Sequence, residues 1–208
     1  IIQGYAEALL RQTEEGTKES RYLKVIADSA HRGGGLVQEM LFAAELEESE
    51  GRAVAEVDIG RFLQEKLEVY QGLGKNVDIT VELELSGFTG HSSLVKADQS
   101  ALNRILDNIV MNSLQHTPAG GTITVTVQLE GQALRFTVRD TGPGFTAQDL
   151  HHLFEKFYRG DQSRSTKGGS GLGLYIVKQL VERQGGSVRA WNHPDGGACL
   201  EFYLPIIY

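Results

Sequence analysis

The chain has 208 residues, of which 40% are hydrophobic, so it can bury a sizeable core as one large domain or as a domain with an appendage. A net charge of -7 without a cluster of Lys and Arg argues against nucleic acid or an anionic membrane surface as the main partner. The single Cys199 lies in an alternating apolar run, which excludes an internal disulfide and disfavours a catalytic thiol.

Residues 1–50 carry the apolar periodicity of two helices, with a break at residues 15–17. The second helical stripe consists of Tyr22, Ile26, Ala30, Gly33, Val37, Met40 and Ala44. We therefore predict a helical hairpin as a first domain, residues 1–50, and a second domain, residues 51–208, after an acidic linker. Three glycines at 33–35 predict a kink or a locally soft stretch in the second helix, because each costs up to ~1 kcal/mol relative to alanine.

The second domain begins with predicted strands at 55–59, 78–85 and 94–97 and a predicted helix at 62–70. A long helix is then predicted over residues 98–116. One of its faces is apolar apart from a serine (Leu102, Ile105, Leu106, Ile109, Ser113), and the other carries Asn108, Asn112, Gln115 and His116. A face of amides and an imidazole favours contact with a ligand, and its plain alternative is a solvated polar surface.

Two alternating runs, residues 122–129 and 134–139, predict a β-hairpin that ends at Asp140. The letters DTGPG follow at this point, and Gly142 and Gly144 let the backbone approach a bound group closely. Because an ionised carboxylate only accepts hydrogen bonds, Asp140 suits an amino group on a planar ring.

Residues 145–168 are too long and too polar for a plain turn, which predicts a mobile lid. Phe154 and Phe157 are its candidate anchors, and Arg159, Arg164 and Lys167 are its candidate phosphate-binding cations.

A glycine run follows, in which Gly169, Gly171 and Gly173 alternate with Ser170 and Leu172 just before a helix-patterned segment. Backbone N–H groups of such a turn can face a polyphosphate near the positive end of the helix dipole. The letters do not match the P-loop, the Rossmann fingerprint or the nucleophile elbow, and a tight strand-to-helix turn remains the plain alternative. Two final strands are predicted at 187–191 and 199–204.

Four strings, NIVMNSLQHTP, DTGPGF, FEKFYR and GGSGLGLYIV, resemble in order and spacing the N, G1, F and G2 boxes of the ATP-binding catalytic domain of sensor histidine kinases. The resemblance covers about the last three quarters of the chain. It implies the α/β (α+β sandwich) Bergerat fold, a mixed sheet layered on helices, here preceded by an α-helical hairpin. ATP and Mg²⁺ are the implied cofactors.

The same resemblance assigns roles to individual residues. Asn112 matches the Mg²⁺ ligand and Asp140 the residue that binds the adenine amino group, while Gln115 stands where many members have lysine. The catalytic candidates are Asn108, Asn112 and Arg159. The nucleotide-binding candidates are Asn112, Gln115, His116, Asp140, Gly142, Gly144, Lys167, Gly169, Ser170, Gly171, Leu172 and Gly173.

The residue at position 108 distinguishes the possible reactions. Relatives that hydrolyse ATP, of the DNA gyrase, mismatch-repair and heat-shock chaperone type, carry a glutamate there that activates water, whereas this chain has Asn108. An amide cannot take a proton, so the site suits a nucleophile brought from elsewhere. We expect a protein-histidine kinase that transfers the γ-phosphoryl of MgATP to a histidine on the dimerisation helix. A degenerate, non-catalytic ATP-binding or scaffold module and a GHKL-type ATPase are the alternatives.

The phosphoacceptor motif of the family, a histidine with an acidic neighbour and a following Thr-Pro or Asn-Pro, is absent from the printed sequence, and His31 lacks both features. We expect the motif just upstream of Ile1, in a longer protein of which this chain is the cytoplasmic portion, with a membrane contact only through the upstream segments. The resemblance also implies a bacterial sensor, a homodimer formed through the hairpin and a response-regulator receiver domain as partner.

Overall fold

A computed structural model describes residues 1–48, 54–87, 94–160 and 169–206. Two compact units are present, Ile1–Glu48 and Ser49–Tyr208. No helix in the described part of the chain is long and apolar enough to cross a membrane.

The first unit is the predicted helical hairpin, made of α1 (Ile2–Leu10) and α2 (Lys18–Glu48). The small side chains of Ala6 and Ala27 are buried, and Gln3 Nε2 of α1 lies 3.4 Å from His31 Nδ1 of α2. Helix α2 runs through glycines 33–35 without a break, and the predicted kink or locally soft stretch there stays a prediction. The hairpin leaves a large apolar surface exposed, formed by Ile2, Tyr5, Leu9, Tyr22, Val25, Ile26, Leu36, Val37, Met40 and Leu41.

The second unit contains seven described strands in two sheets. Strands β1 (Ala55–Asp58) and β3 (Leu94–Ala97) form an antiparallel pair. The larger sheet contains β2 (Thr80–Ser86), β4 (Thr122–Glu130), β5 (Ala133–Asp140), β6 (Ser187–Asn192) and β7 (Ala198–Pro205), in the order β2-β4-β5-β7-β6. The β2–β4 pair is parallel and the others are antiparallel, which confirms the predicted mixed sheet.

Helices α3 (Ile59–Lys75), α4 (Gln99–His116) and α6 (Gly173–Arg183) pack against this sheet, and a short α5 (Ala147–His152) follows β5. Alternate side chains of the central strands point into the core because successive strand residues face opposite sides of a sheet. Phe136 of β5 and Phe202 of β7 stack there at 4.4 Å between ring centroids, and both are fully buried.

Two predicted details differ from the structure. Strand β1 ends at Asp58 because the Asp58 carboxylate accepts a hydrogen bond from Arg61 N–H (3.2 Å) and caps α3, so Ile59 is helical. The strand predicted at 78–85 begins only at Thr80 and ends at Ser86, because Asp78 has a positive φ of +56°, which an extended strand does not use.

A polar contact ties α4 to α3. Lys66 Nζ donates to both carboxylate oxygens of Asp107 at 2.8 and 3.0 Å, and Tyr70 Oη donates to Oδ1 at 2.8 Å. Burial, reinforced by Asp107, raises the pKa of the Tyr70 hydroxyl well above its ordinary range, so the hydroxyl stays a donor at physiological pH. These bonds fix the helix that carries the candidate site residues.

Candidate functional site

Helix α4 separates its core-facing and polar residues as the sequence predicts. Its apolar face lies in the core, with Leu102, Ile105, Leu106, Ile109 and Ser113 buried. The helix begins where Asp98 accepts a hydrogen bond from Ala101 N–H (2.9 Å). It ends at His116, because Thr117, which precedes Pro118, has an extended backbone (φ -77°, ψ 128°). The N–H and the hydroxyl of Thr117 both donate to the carbonyl of Ser113, at 2.8 and 2.7 Å.

The polar face of α4 lies against the glycine turn that precedes α6. A Cβ built on Gly173 would lie 3.1 Å from Asn108 Oδ1, and one built on Gly169 would lie 3.9 Å from Gln115 Oε1. Asn108 and Asn112 are half-buried and Gln115 is exposed. The structure therefore brings together two segments that are about 60 residues apart in sequence.

The glycine turn also contacts the FEKFYR segment. Gly171 has a φ of +74°, and a Cβ there would come within 2.7 Å of the Phe157 carbonyl carbon and the Tyr158 carbonyl oxygen. Only a residue without a side chain fits this position, so the turn packs directly against the backbone of the FEKFYR segment. Arg159, the next residue of the FEKFYR segment, is half-buried.

Leu172 and Phe157 have surroundings that the sequence does not predict. The Leu172 side chain is 1% exposed and belongs to the core, and its N–H donates to Ser170 Oγ at 2.9 Å. The nucleotide contact of Leu172 stays a prediction. Phe157 is 58% exposed with a φ of +61°, so the predicted anchoring role is wrong for this residue. Arg164 and Lys167 lie outside the described residues, as do all residues of the predicted lid from 161 to 168.

Asp140 is a buried residue, and one of its two carboxylate oxygens accepts hydrogen bonds from the backbone. It is 5% exposed, and its Oδ1 accepts hydrogen bonds from Gly142 N–H (2.9 Å) and Ala198 N–H (3.1 Å). Oδ2 receives no hydrogen bond from the described residues. A Cβ on Gly142 would lie 3.0 Å from the His116 carbonyl oxygen, so this carboxylate lies near the end of α4. A carboxylate oxygen that receives no hydrogen bond from the described residues is suited to a donor on a ligand.

The loop after Asp140 is held by a residue that the sequence did not single out. Asn192, the last residue of β6, accepts a hydrogen bond from Phe145 N–H (2.7 Å) and donates one to the Phe145 carbonyl (2.8 Å). A Cβ on Gly144 would lie 2.7 Å from Asn192 Oδ1. No local sequence pattern reveals this pair, since the two residues are 47 positions apart.

Asp149 joins the start of α5 to the FEKFYR segment, and the sequence did not single it out either. Thr146 donates its N–H (2.9 Å) and its hydroxyl (2.7 Å) to Asp149 Oδ2, and Tyr158 Oη donates to Oδ1 (3.0 Å). Burial alone raises the pKa of the Asp149 carboxyl. The bonds from Thr146 and Tyr158 and the charge of nearby His116 outweigh burial and leave this pKa below its ordinary value. The T-x-x-D pattern was the available sequence signal.

The donor set of the site favours a nucleotide over a protein-bound metal cluster. Among the described residues no group of three or more His, Cys, Asp and Glu could hold a metal ion. Magnesium often binds proteins through one or two oxygen ligands and completes its shell with phosphates and water, so an amide oxygen from Asn112 is compatible with it. Cys199 offers no alternative chemistry, because burial raises the pKa of its thiol more than nearby Arg139 lowers it.

Comparison with known families identifies the family of this chain. The family model described as "Histidine kinase-, DNA gyrase B-, and HSP90-like ATPase" matches residues 97–207, more than half of the chain. The chain belongs to this family. All candidate site residues, from Asn108 to Gly173, lie within the matched range.

Relatives with sequences similar to this chain are sensor histidine kinases. The sensor-like histidine kinase SenX3 of Mycobacterium tuberculosis is 30% identical over 204 residues, which are 97% of this chain and 49% of SenX3. The chain thus spans about half the length of the curated relatives it matches. The family model and these relatives together show that the chain contains the catalytic domain of a sensor histidine kinase, which confirms the prediction from its sequence motifs.

Solved structures agree on the architecture. Full-length ShkA in complex with AMPPNP has a TM-score of 0.81 at 28% identity, covering 99% of this chain and 42% of ShkA. Histidine kinase ThkA in complex with the response regulator TrrA has a TM-score of 0.71, covering 99% of this chain and 57% of ThkA. At 20% identity the ThkA likeness shows the fold alone.

Proposed function

We propose that this chain binds MgATP and positions its γ-phosphoryl group for attack by a histidine imidazole on the dimerisation helix, outside this chain. The observation that carries the proposal is the arrangement around α4. Its amide face lies against the glycine turn, and the buried residue Asp140 lies close to the C-terminal end of the same helix. Relatives supply independent support, because the ATPase family model covers this region and ShkA was solved with an ATP analogue.

Each part of the nucleotide has a candidate partner in this arrangement. Asp140 Oδ2 would accept a hydrogen bond from the amino group of adenine, the N–H groups of Gly169 and Gly171 would donate to phosphate oxygens, and Asn112 would hold Mg²⁺. The metal supplies charge neutralisation on the phosphates. Phosphoryl transfer depends on positioning and charge stabilisation more than on covalent chemistry by the protein, so these groups suffice without a protein nucleophile.

Asn108 separates this proposal from an ATPase. Its amide lies close to Gly173 at the start of α6, where a hydrolytic relative would carry a base. Because an amide does not accept a proton from water, we expect slow release of inorganic phosphate and transfer only to an imidazole that arrives with its own lone pair.

The hairpin and the partner protein belong to the same proposal. The exposed apolar surface of α1 and α2 suits pairing with a second copy into a four-helix bundle. The phosphohistidine would then pass its phosphoryl group to an aspartate of a response-regulator receiver domain, a partner for which the ThkA–TrrA complex is the supporting precedent. We further propose that the chain is the cytoplasmic part of a membrane-anchored sensor, as its relatives are sensor kinases.

Calorimetry with two variants tests the site. Asn112→Ala should weaken ATP binding mainly when Mg²⁺ is present, whereas Asp140→Asn should weaken ATP and ADP alike and reduce the preference for ATP over GTP. Loss of one hydrogen bond to a charged group corresponds to about 1.5–3 kcal/mol, or roughly 10- to 150-fold in affinity. Wild-type affinity in both variants would rule out the assignment.

A further inference from the structure

The loop from Asp140 to Phe145 is held in place by the turn between β6 and β7. Asn192 at one end of this turn makes two hydrogen bonds to the Phe145 backbone, of 2.7 and 2.8 Å. Ala198 at the other end donates its N–H to Asp140 Oδ1 (3.1 Å). Both ends of the loop are therefore attached to one turn.

The loop and the turn lie so close together that neither Gly144 nor Gly197 has room for a side chain. A Cβ on Gly144 would lie 2.7 Å from Asn192 Oδ1, and a Cβ on Gly197 would overlap the Asp140 carbonyl oxygen. Asn192 is the last residue of the edge strand β6. Its side-chain amide makes the two hydrogen bonds to the Phe145 backbone that a neighbouring strand would otherwise make. A displacement of the loop at Phe145 would shift the Asp140 carboxylate that opens the same loop.

We propose that Asn192 is a positioning residue for recognition of the nucleotide base. Its amide fixes the 140–145 loop so that Asp140 Oδ2, the oxygen without a donor among the described residues, faces the exocyclic amino group of adenine. This inference rests on the proposed role of Asp140. It adds that the discrimination between adenine and guanine depends on a side chain that touches neither the base nor the phosphates.

The expected effect follows from the bonds that are removed. Asn192→Ala removes two neutral hydrogen bonds, and a loop that occupies its binding geometry only part of the time lowers the apparent affinity by that fraction. We expect the MgATP affinity to fall about 10-fold. MgGTP gains nothing from the Asp140 acceptor, so its affinity should change less than about 2-fold.

The experiment measures MgATP and MgGTP affinities of the 208-residue chain by competition against a fluorescent ATP analogue, together with the melting temperature. Asn192→Asp is the second variant, since it keeps the size of the side chain and the acceptor for Phe145 N–H but removes the donor to the Phe145 carbonyl. Asp195→Ala is the matched control, because this residue lies in the same turn with its side chain 80% exposed.

A double-variant comparison separates positioning from stability. If Asn192 acts through Asp140, then Asn192→Ala added to Asp140→Asn should weaken MgATP binding by less than about 2-fold further. A merely structural role would lower MgATP and MgGTP affinities by the same factor and add in full to Asp140→Asn.

The outcomes are distinguishable. Selective loss of MgATP affinity in both Asn192 variants, absent in Asp195→Ala and not additive with Asp140→Asn, supports the inference. Wild-type MgATP affinity, parallel loss for both nucleotides, or full additivity overturns it while leaving the Asp140 assignment standing. Wild-type nucleotide preference in Asp140→Asn alone would overturn the proposed base contact and the Asn192 inference together.

Discussion

Replacing Gly171 by alanine perturbs the contact between the glycine turn and the FEKFYR segment. The φ of +74° disfavours an L side chain by about 1–2 kcal/mol, and the new Cβ would lie 2.7 Å from two backbone atoms of Phe157 and Tyr158. Overpacking against atoms that cannot rotate away typically adds about 1–3 kcal/mol. We expect Gly171→Ala to destabilise the domain by about 3 kcal/mol, which for a domain of this size is a fall of about 6–12 °C in Tm.

Two further glycines serve as matched comparisons. Gly169 has a φ of +91°, but among the described residues the nearest atom to a Cβ there is 3.9 Å away, so Gly169→Ala should cost only the conformational strain, about 1–2 kcal/mol. Gly72 lies within α3 with nothing within 4 Å of a Cβ, and Gly72→Ala should stabilise by about 1 kcal/mol.

Urea denaturation and thermal melting of the three variants give the comparison, with MgATP affinity measured alongside. The expected order of stability is Gly72→Ala, wild type, Gly169→Ala, Gly171→Ala. If Gly171→Ala were as stable as Gly169→Ala, the turn would not lie against the backbone of the FEKFYR segment, and the structural basis for the phosphate site would be refuted.

Other expected outcomes concern the core, the pH response and the thiol. Phe136→Ala should destabilise by about 3–5 kcal/mol in urea titrations, because it removes one of two stacked, fully buried rings; a cost below about 1 kcal/mol would contradict this packing. Since the folded-state pKa of Asp149 is depressed, its contribution to stability is present above about pH 3.9 and is lost as the pH falls through the folded-state pKa. The Tm difference between wild type and Asp149→Asn should therefore be largest near neutral pH and shrink below about pH 4, and a constant difference would count against it. Cys199 should react with a thiol reagent only after unfolding, as its buried thiol has a raised pKa, and rapid labelling of the native chain would argue otherwise.

The sequence was sufficient for features that depend on periodicity. The two faces of α4 follow directly from helical spacing, and the β4–β5 hairpin ends at Asp140 as the alternation predicts. The glycine spacing indicated a tight approach, and the structure shows that Gly171 packs against Phe157 and Tyr158.

The remaining features depend on tertiary proximity, which periodicity does not encode. Leu172 was grouped with its glycine neighbours, but the start of α6 turns its side chain into the core. The apolar character of Phe157 predicts an anchor for the lid, whereas its side chain is 58% exposed and its backbone φ is +61°. The hydrogen bonds between Asn192 and Phe145 join residues that are 47 positions apart. They can be found only when the position of β6 at the sheet edge is known.

The central claim is that the site delivers phosphoryl groups to histidine and not to water. The direct test follows γ-labelled MgATP in two samples, the 208-residue chain and the proposed full-length protein that carries the upstream phosphoacceptor histidine. We predict that the chain binds the nucleotide but releases little phosphate and gains no acid-labile, base-stable label, since none of His31, His91, His116, His151, His152 and His193 has the acidic neighbour and proline of a phosphoacceptor motif. The full-length protein should gain such a label. Steady phosphate release by the chain, or label on one of its six histidines, would contradict the account.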